Sequence, residues 1–389
     1  MADRGKVLAL GGLSTFGPLS LDLYLPALPQ LTDSLRTTES LGQASMSLCM
    51  VGLAGGQLLV GPLSDRIGRR VPLLVGVALF AVSAALCAVA PSIEVLLVLR
   101  LLTGLAGATG IVVARAMVRD LYSGDAAARM FSLLMVVSGA APVLAPVIGS
   151  QLLRITDWRG LFLALAGIGL VLLAAALTQR ETLPPDRRHD GGLRATGRAV
   201  VRVARDRSFG VPTLVLALVC CAMFVYIAMG SYVLQEQYGL GAQAYGIVFA
   251  VNALGIVAAG RLSAALVRRL GPVRLLRIAV AVCVAGGIAL VAGVSATSSV
   301  WAVLPPLFVV VASVGIVLPN GTALALAGQG AVAGSASALL GLSQFALGAL
   351  VPPLVSTGGV TAAKMALAIL AVGLAGAVAA AFLPGRAPR

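Results

Sequence analysis

The sequence contains few charged residues and a single histidine. Charged residues make up 11% of the 389 positions, whereas a soluble domain carries about 25%, so a soluble globular protein is excluded. His189, the one histidine, lies in a polar stretch without a partner, and the carboxylates are not clustered. A membrane-embedded enzyme would need a nucleophile–base pair or a group of metal ligands. We therefore expect neither an enzyme nor a bound metal or cofactor.

Other scarce features exclude further classes. The five cysteines all fall inside apolar runs without metal-ligand spacing, so we expect packing residues and no disulfide framework. Aromatic residues make up 5% and do not interleave with the basic ones as a nucleic-acid surface would require. The net charge of +14 therefore does not indicate a nucleic-acid partner. A G-x-x-x-x-G-K-[ST] loop is missing as well, which argues against ATP as the energy source.

Hydrophobic residues dominate what is present. They form 59% of the chain, the mean hydropathy is +1.02, and they fall into about twelve stretches of bilayer-spanning length. We predict an all-α membrane protein, in which twelve transmembrane helices form two pseudo-symmetric six-helix bundles. The bundles are expected at residues 1–180 and 208–389, joined by a cytoplasmic basic linker at 181–207. The first stretch is expected to remain as a helix rather than to be a cleaved signal peptide. The predicted spans lie near 7–29, 43–62, 71–90, 94–118, 130–152, 159–178, 209–234, 243–262, 275–294, 300–326, 332–355 and 362–383.

Lysine and arginine are distributed unevenly between the two ends of these spans. Twenty-three of the 28 fall on the side that carries the N-terminus, the linker and the C-terminus, four fall on the other side, and Arg100 lies within a span. Positive charge accumulates on the cytoplasmic side of membrane proteins. We therefore expect both termini in the cytoplasm of a multi-pass bacterial inner-membrane protein.

The decapeptide Gly61–Arg70 packs charges and turn-forming residues between two apolar runs, and we expect it to form a tight loop. Its residue types recur about half a chain length later, at Gly260, Leu262, Ser263, Arg268 and Arg269. Repeated membrane units of this kind are typical of secondary transporters.

Two charged residues lie deep within predicted spans, where charge is costly and usually functional. Asp22 is the only carboxylate well inside a span, and Arg100 is the only deep cation. At 1.5 Å per residue, both lie ~9 Å below the outer boundary. A pair is therefore possible, either direct or through substrate or water. The alternative is an ion pair that only fixes helix packing.

Several segments resemble one transporter family. Gly61–Arg70 is similar to the loop 2–3 signature of the major facilitator superfamily. Leu21–Pro29 resembles the first-helix signature of its bicyclomycin/chloramphenicol-resistance (Bcr/CflA) subfamily of drug:proton antiporters. Segments in the first half that match subfamily positions are Ala114–Tyr122, Ala141–Gly149, Asp157–Arg159 and Glu181–Pro185. Leu99 and Arg100 with Gly104 resemble the superfamily's span-4 signature, although Thr103 stands where glutamine is usual. The second half departs from the loop signature at Ala264, which occupies the position of Asp65 in the repeat. Span 5 lacks the full glycine pattern of the antiporter signature.

The resemblance implies roles for individual residues. Asp22 would be the carboxylate that binds the proton and the substrate, and Arg100 would tune the proton affinity of Asp22. Asp65, Arg69, Arg115 and Asp120 would form a cytoplasmic gate. Apart from the resemblance, the spacing of Pro142, Pro146 and Gly149 places them on one face of span 5, where they permit close helix contact and a bend. Apolar, aromatic and amide groups within spans would suit a cavity for amphiphilic drugs. The cavity candidates, each of which ordinary helix packing explains as well, are Tyr24, Met50, Met135, Tyr226, Asn252, Asn320 and Gln344.

The expected function is therefore proton-coupled export of small amphiphilic or apolar compounds by a monomer in the lipid bilayer. A proton symporter that imports a metabolite has the same fold, and the sequence leaves that alternative open.

Overall fold

A computed structural model describes residues 4–122, 124–188, 203, 206–327, 329 and 333–383. The described part is helical and contains no strand, which confirms the predicted fold class. The chain divides into two compact units, one formed by Met1–Thr37 with Ala44–Thr196 and the other by Thr38–Gln43 with Gly197–Arg389. The predicted linker lies mainly outside the described residues.

Eight α-helices lie wholly or mainly in the described part of the first unit. Their bounds are α1 Arg4–Leu13, α2 Phe16–Asp22, α3 Leu28–Ser34, α4 Glu39–Ile67, α5 Arg70–Ala88, α6 Ile93–Leu121, α7 Gly124–Leu152 and α8 Trp158–Leu177. Buried aromatic rings join several of them. Phe16 of α2 packs on Phe80 of α5 with ring centroids 4.3 Å apart, and Tyr24, between α2 and α3, packs on Phe162 of α8 with centroids 5.2 Å apart.

The second unit contains six helices in its described part. They are α9 Arg207–Tyr232, α10 Ala242–Leu270, α11 Pro272–Ala296, α12 Leu304–Leu326, α13 Ala333–Val355 and α14 Ala362–Ala381. A π-helical turn, Val233–Gln237, extends α9.

The helices have the length and composition of membrane spans. Nine in the described ranges are long and apolar enough to cross a bilayer, and Ala141–Leu152 and Leu339–Val355 are shorter apolar segments. Large aliphatic side chains face outward, among them Val75 at 61% exposure and Leu170 at 60%. Since these helices are apolar on the outside as well as in the core, lipid is their solvent.

The first predicted span is helical but interrupted. Helix α2 ends at Asp22, and a 3₁₀ turn, Leu25–Ala27, follows before α3. Ser14 and Thr15 direct their hydroxyls to backbone carbonyls of the preceding turn, at 2.9 and 2.6 Å. Such bonds compete with the helix ladder, and Pro26 lacks the N–H that would continue it. The Ser14 and Thr15 bonds lie at a first break, between α1 and α2, and Pro26 follows a second break at Leu23 and Tyr24, which places Asp22 at a helix end inside the unit.

The charged decapeptide 61–70 is mostly helical, which corrects the predicted loop. Helix α4 runs through most of it, and only Gly68 and Arg69 form the turn, with Gly68 at φ +101°. The counterpart 260–269 lies entirely within α10, whose turn comes at Gly271 with φ +74°. Both helices have 29 residues, and a bilayer needs only about 20. The charged ends therefore stay helical beyond the apolar part.

Candidate functional site

The charged side chains near the α4–α5 turn converge on one guanidinium. Arg69 Nη1 donates to Asp65 Oδ1 at 2.6 Å and to Ser64 Oγ at 2.8 Å, and its Nε donates to Asp120 Oδ2 at 2.9 Å. Asp65, near the end of α4, lies four residues before Arg69, whereas Asp120 comes from the last turn of α6. We call Ser64, Asp65, Arg69 and Asp120 the turn cluster.

Arg69 carries its charge in a largely buried position, because the residue is only 5% exposed. Burial opposes the charged form, but hydrogen bonds to Asp120 and Asp65 and their negative charges outweigh it, so the pKa of Arg69 is raised above its ordinary value. Charge-assisted bonds of this kind are stronger than neutral ones. The arrangement therefore holds the ends of α4 and α6 together through one side chain.

One predicted gate residue is not part of this arrangement. Arg115 is exposed on α6, and among the described residues no hydrogen bond or salt bridge joins it to the turn cluster. Its position in the matching segment therefore does not place it in the bonded network.

Two residues that carried no predicted role do join the network. Thr182 Oγ1 donates to Asp120 Oδ2 at 3.0 Å, and Glu181 accepts the backbone N–H groups of Arg69 and Arg70 at 2.8 and 3.1 Å. The only sequence signal was their membership of the segment Glu181–Pro185. Their separation of more than 100 residues from the α4–α5 turn hid the contact.

The two deep charges of the first unit are not in direct contact. Arg100 is fully buried; its Nη1 donates to Ser20 Oγ at 3.2 Å and its Nη2 to the Ser20 carbonyl at 2.7 Å. Its guanidinium lies over the rings of Tyr24 and Phe162, at 4.6 and 5.6 Å from the centroids. No hydrogen bond or salt bridge to Asp22 occurs in the described ranges, so the direct form of the predicted pair is absent.

Asp22 lies two residues after Ser20, at the end of α2, and is 6% exposed. Arg100 thus contacts the same interrupted segment that carries the carboxylate, through Ser20 and Tyr24. The structure brings the two charges to one segment without pairing them.

Tyr24 and Met50, both predicted for a cavity, are fully buried. The Tyr24 hydroxyl lies 2.9 Å from Ser45 Oγ. The Met135 side chain lies outside the part of the chain that the structure describes.

The predicted bend motif in α7 packs against the interrupted segment. Pro142 and Pro146 lie inside this helix, and Gly149 is buried one turn further on. A Cβ atom at Gly149 would collide with the carbonyl oxygen of Leu23, the residue after Asp22. Only glycine allows this close approach, so α7 supports the backbone beside the carboxylate.

In the second unit, two of the predicted polar residues are bonded to other side chains. Asn252 Nδ2 donates to the Tyr226 hydroxyl at 3.0 Å, and Asn320 Nδ2 donates to Ser263 Oγ at 2.7 Å. Gln344 is half-buried. Phe249 had no predicted role, yet it stacks on Tyr226 with centroids 5.9 Å apart.

Within the described ranges, no group of three or more His, Cys, Asp or Glu side chains could hold a metal ion. The site therefore consists of a buried carboxylate, a buried guanidinium and a cluster of charges at a helix turn. The carboxyl group can bind and release a proton, and the charged groups can stabilise one arrangement of helices.

Comparison with known proteins matches these features to one family. The family model for the Major Facilitator Superfamily matches residues 9–353. An uncharacterized MFS-type transporter, YdgK of Bacillus subtilis, is 36% identical over 95% of this chain and 93% of its own. A chloramphenicol resistance protein of Pseudomonas aeruginosa is 30% identical, covering 86% of this chain and 79% of its own. A bicyclomycin resistance protein homolog of Haemophilus influenzae is 28% identical, covering 90% and 88%.

A solved structure shows the same fold. The crystal structure of a D-xylose-proton symporter has a TM-score of 0.76 and 18% identity, and the match covers 99% of this chain and 97% of that one. The relatives named for bicyclomycin and chloramphenicol resistance confirm the resemblance seen in the motifs. The members of this family are transporters rather than enzymes. The chain belongs to the major facilitator superfamily and is a multi-span membrane transporter.

Proposed function

We propose that this protein exports small amphiphilic or apolar compounds, such as antibiotics of the bicyclomycin or chloramphenicol type, in exchange for protons. The observation that carries the proposal is Asp22, a carboxyl group that is 6% exposed at the break in the first span. Relatives named for resistance to bicyclomycin and chloramphenicol support the substrate class.

The chemistry of a buried carboxyl group suits this task. An ionised carboxylate is costly in apolar surroundings, and water that enters from one side lowers that cost. A carboxyl group that is exposed to water on each side of the membrane in turn can take up a proton from one side and release it to the other. In this scheme Arg100 acts on Asp22 through the shared segment, and the turn cluster stabilises one of the two access states.

The proton gradient sets the limit of this exchange. One charge moving through 100 mV gains about 2.3 kcal/mol, and one pH unit adds about 1.4 kcal/mol. Together they sustain a gradient of about 500-fold for a neutral compound when one proton moves per molecule.

A susceptibility panel tests the proposal. We expect expression in a host that lacks its own pumps to raise the inhibitory concentration of bicyclomycin, chloramphenicol or related apolar compounds. A protonophore should abolish the difference, since it removes the driving force. The matched control is the same host with Asp22→Asn expressed at equal level. Accumulation of a compound in place of its expulsion would indicate a proton symporter, and resistance that survives the protonophore would remove proton coupling.

The charge asymmetry predicts the orientation of the protein in the inner membrane. We expect a reporter that is active only in the cytoplasm to be active when fused after Arg389. A reporter inserted between Ser34 and Gln43 should show the outer side, because Arg36 is the only basic residue there. An outer C-terminus would contradict both the orientation and the count of twelve spans.

A further inference from the structure

Glu181 and Thr182, at the start of the predicted linker, bind the α4–α5 turn and the turn cluster. Helix α8 ends at Leu177, and Glu181 follows four residues later. Its Oε1 accepts the N–H of Arg69 at 2.8 Å, and its Oε2 accepts the N–H of Arg70 at 3.1 Å. Oε1 also accepts N–H groups of Thr182 and Leu183, each at 3.0 Å. One carboxylate thus satisfies four backbone donors.

This carboxylate caps helix α5 from a distant part of the chain. The first N–H groups of a helix have no partner within it, and the N-cap residue Arg69 makes no capping bond with its own side chain. Glu181 supplies the missing acceptor, and its negative charge suits the positive end of the helix dipole. Burial opposes its ionisation, but the four backbone N–H bonds outweigh that effect, so the pKa of Glu181 lies below its ordinary value. It is therefore ionised at neutral pH.

The same contact fixes the turn geometry. Gly68 has φ +101°, a conformation that favours glycine, and a Cβ at this position would displace the Glu181 carboxylate. The neighbouring Thr182 bonds the carboxylate oxygen of Asp120 that also accepts from Arg69 Nε. The linker therefore bonds the backbone of Arg69 through Glu181. It bonds the side chain of Asp120, an acidic partner of Arg69, through Thr182.

We infer that Glu181 is a positioning residue of the transport cycle, which fixes the Gly68–Arg69 turn so that the Arg69 guanidinium reaches Asp65 and Asp120 together. This role rests on the proposed function of the turn cluster as a gate. Without Glu181 the turn loses its acceptor, and Arg69 no longer meets both carboxylates in one geometry.

The first test is independent of any substrate. We expect Glu181→Ala, purified in lipid nanodiscs, to accelerate amide hydrogen exchange at Arg69 and Arg70 by about tenfold or more, because each N–H loses a charged acceptor. Asp186→Ala is the matched control, since Asp186 is an exposed carboxylate in the same linker. Unchanged exchange at Arg69 and Arg70 in Glu181→Ala would overturn the inference. If Glu181→Ala fails to fold, Glu181→Gln keeps the inference testable: its oxygen can still accept from Arg69, but its amide nitrogen cannot accept from Arg70, so exchange should rise at Arg70 and unchanged exchange there would overturn the inference.

The second test measures transport of the compound found in the susceptibility panel. We expect Glu181→Ala to lower the maximal rate about tenfold while KM stays within about threefold, since a gate biases an equilibrium between states. Glu181→Asp should recover part of the rate. The double variant Asp65→Asn/Glu181→Ala should lose no more than the worse single variant, because both act through Arg69.

The two hypotheses fail differently in this experiment. Losses that multiply in the double variant would show that Glu181 acts independently of the turn cluster and would overturn the inference alone. A normal rate in both Asp65→Asn and Glu181→Ala would remove the gate from the proposed function, and the positioning role with it. A normal rate in Glu181→Ala together with an impaired rate in Asp65→Asn would overturn the positioning role of Glu181 and leave the gate in place.

Discussion

Replacement of Asp22 by asparagine is expected to abolish drug-driven proton release while leaving the fold intact. The amide of the new side chain would keep the shape and hydrogen bonding of the protonated carboxyl group, but it cannot give up a proton. Binding of neutral compounds should persist, and binding of cationic compounds should fall further because the counter-charge is lost. The measurement is proton release into a pH-sensitive dye when drug is added to proteoliposomes.

The control for this variant is Asp33→Asn, which removes an exposed carboxylate from α3 of the same interrupted span. It should leave proton release unchanged. Asp22→Glu should retain partial activity, because the carboxylate survives although it is displaced by one methylene. Undiminished drug-coupled proton release in Asp22→Asn would show that this residue is not the coupling carboxylate.

The contacts of Arg100 extend this prediction. Since Arg100 holds Ser20 by two bonds and lies over Tyr24, Arg100→Ala should also abolish transport. Arg100→Lys should not restore it, because an ammonium group does not reproduce two fixed bonds and a planar ring contact. Normal coupling in Arg100→Lys would reduce the role of this residue to its charge.

Replacement of Asp65 by asparagine is expected to lower the maximal transport rate by about tenfold or more, a bias typical of couplings between states. Substrate affinity should stay within a few-fold, because the change is in the turn cluster and not beside Asp22. The Asp65 side chain is 50% exposed, so solvent screens part of its attraction to Arg69. The measurement is transport kinetics in proteoliposomes, together with labelling of cysteines introduced on the two sides of the membrane.

The labelling background for this experiment is favourable, since the five native cysteines are all buried. The rates of labelling on the two sides should shift in opposite directions in Asp65→Asn. Arg115→Gln is the informative comparison, because Arg115 is exposed on α6 and should affect the rate less than Asp65. Transport by Asp65→Asn at the normal rate would reduce the charged turn to a signal for membrane orientation.

The sequence by itself determined the features that depend on local pattern. Apolar runs of spanning length predicted the helices, because a bilayer leaves few other backbone structures possible. The scarcity of charge singled out Asp22 and Arg100, since a buried charge is costly wherever it occurs in a span. Asp65 and Arg69 are only four residues apart, so their ion pair is a local contact within the charged decapeptide.

The tertiary structure alone decided which distant groups meet. The first span has two breaks: hydroxyls of Ser14 and Thr15 bond back to the chain at the first, and Gly149 closely approaches Leu23 at the second. Hydropathy records neither feature. Arg100 bonds Ser20 rather than Asp22, because helix rotation, not depth in the membrane, sets which side chains touch. The contact of Glu181 with the α4–α5 turn joins residues 111 and 112 positions apart. Periodicity reports one helix at a time, and only the packing of several helices selects such partners.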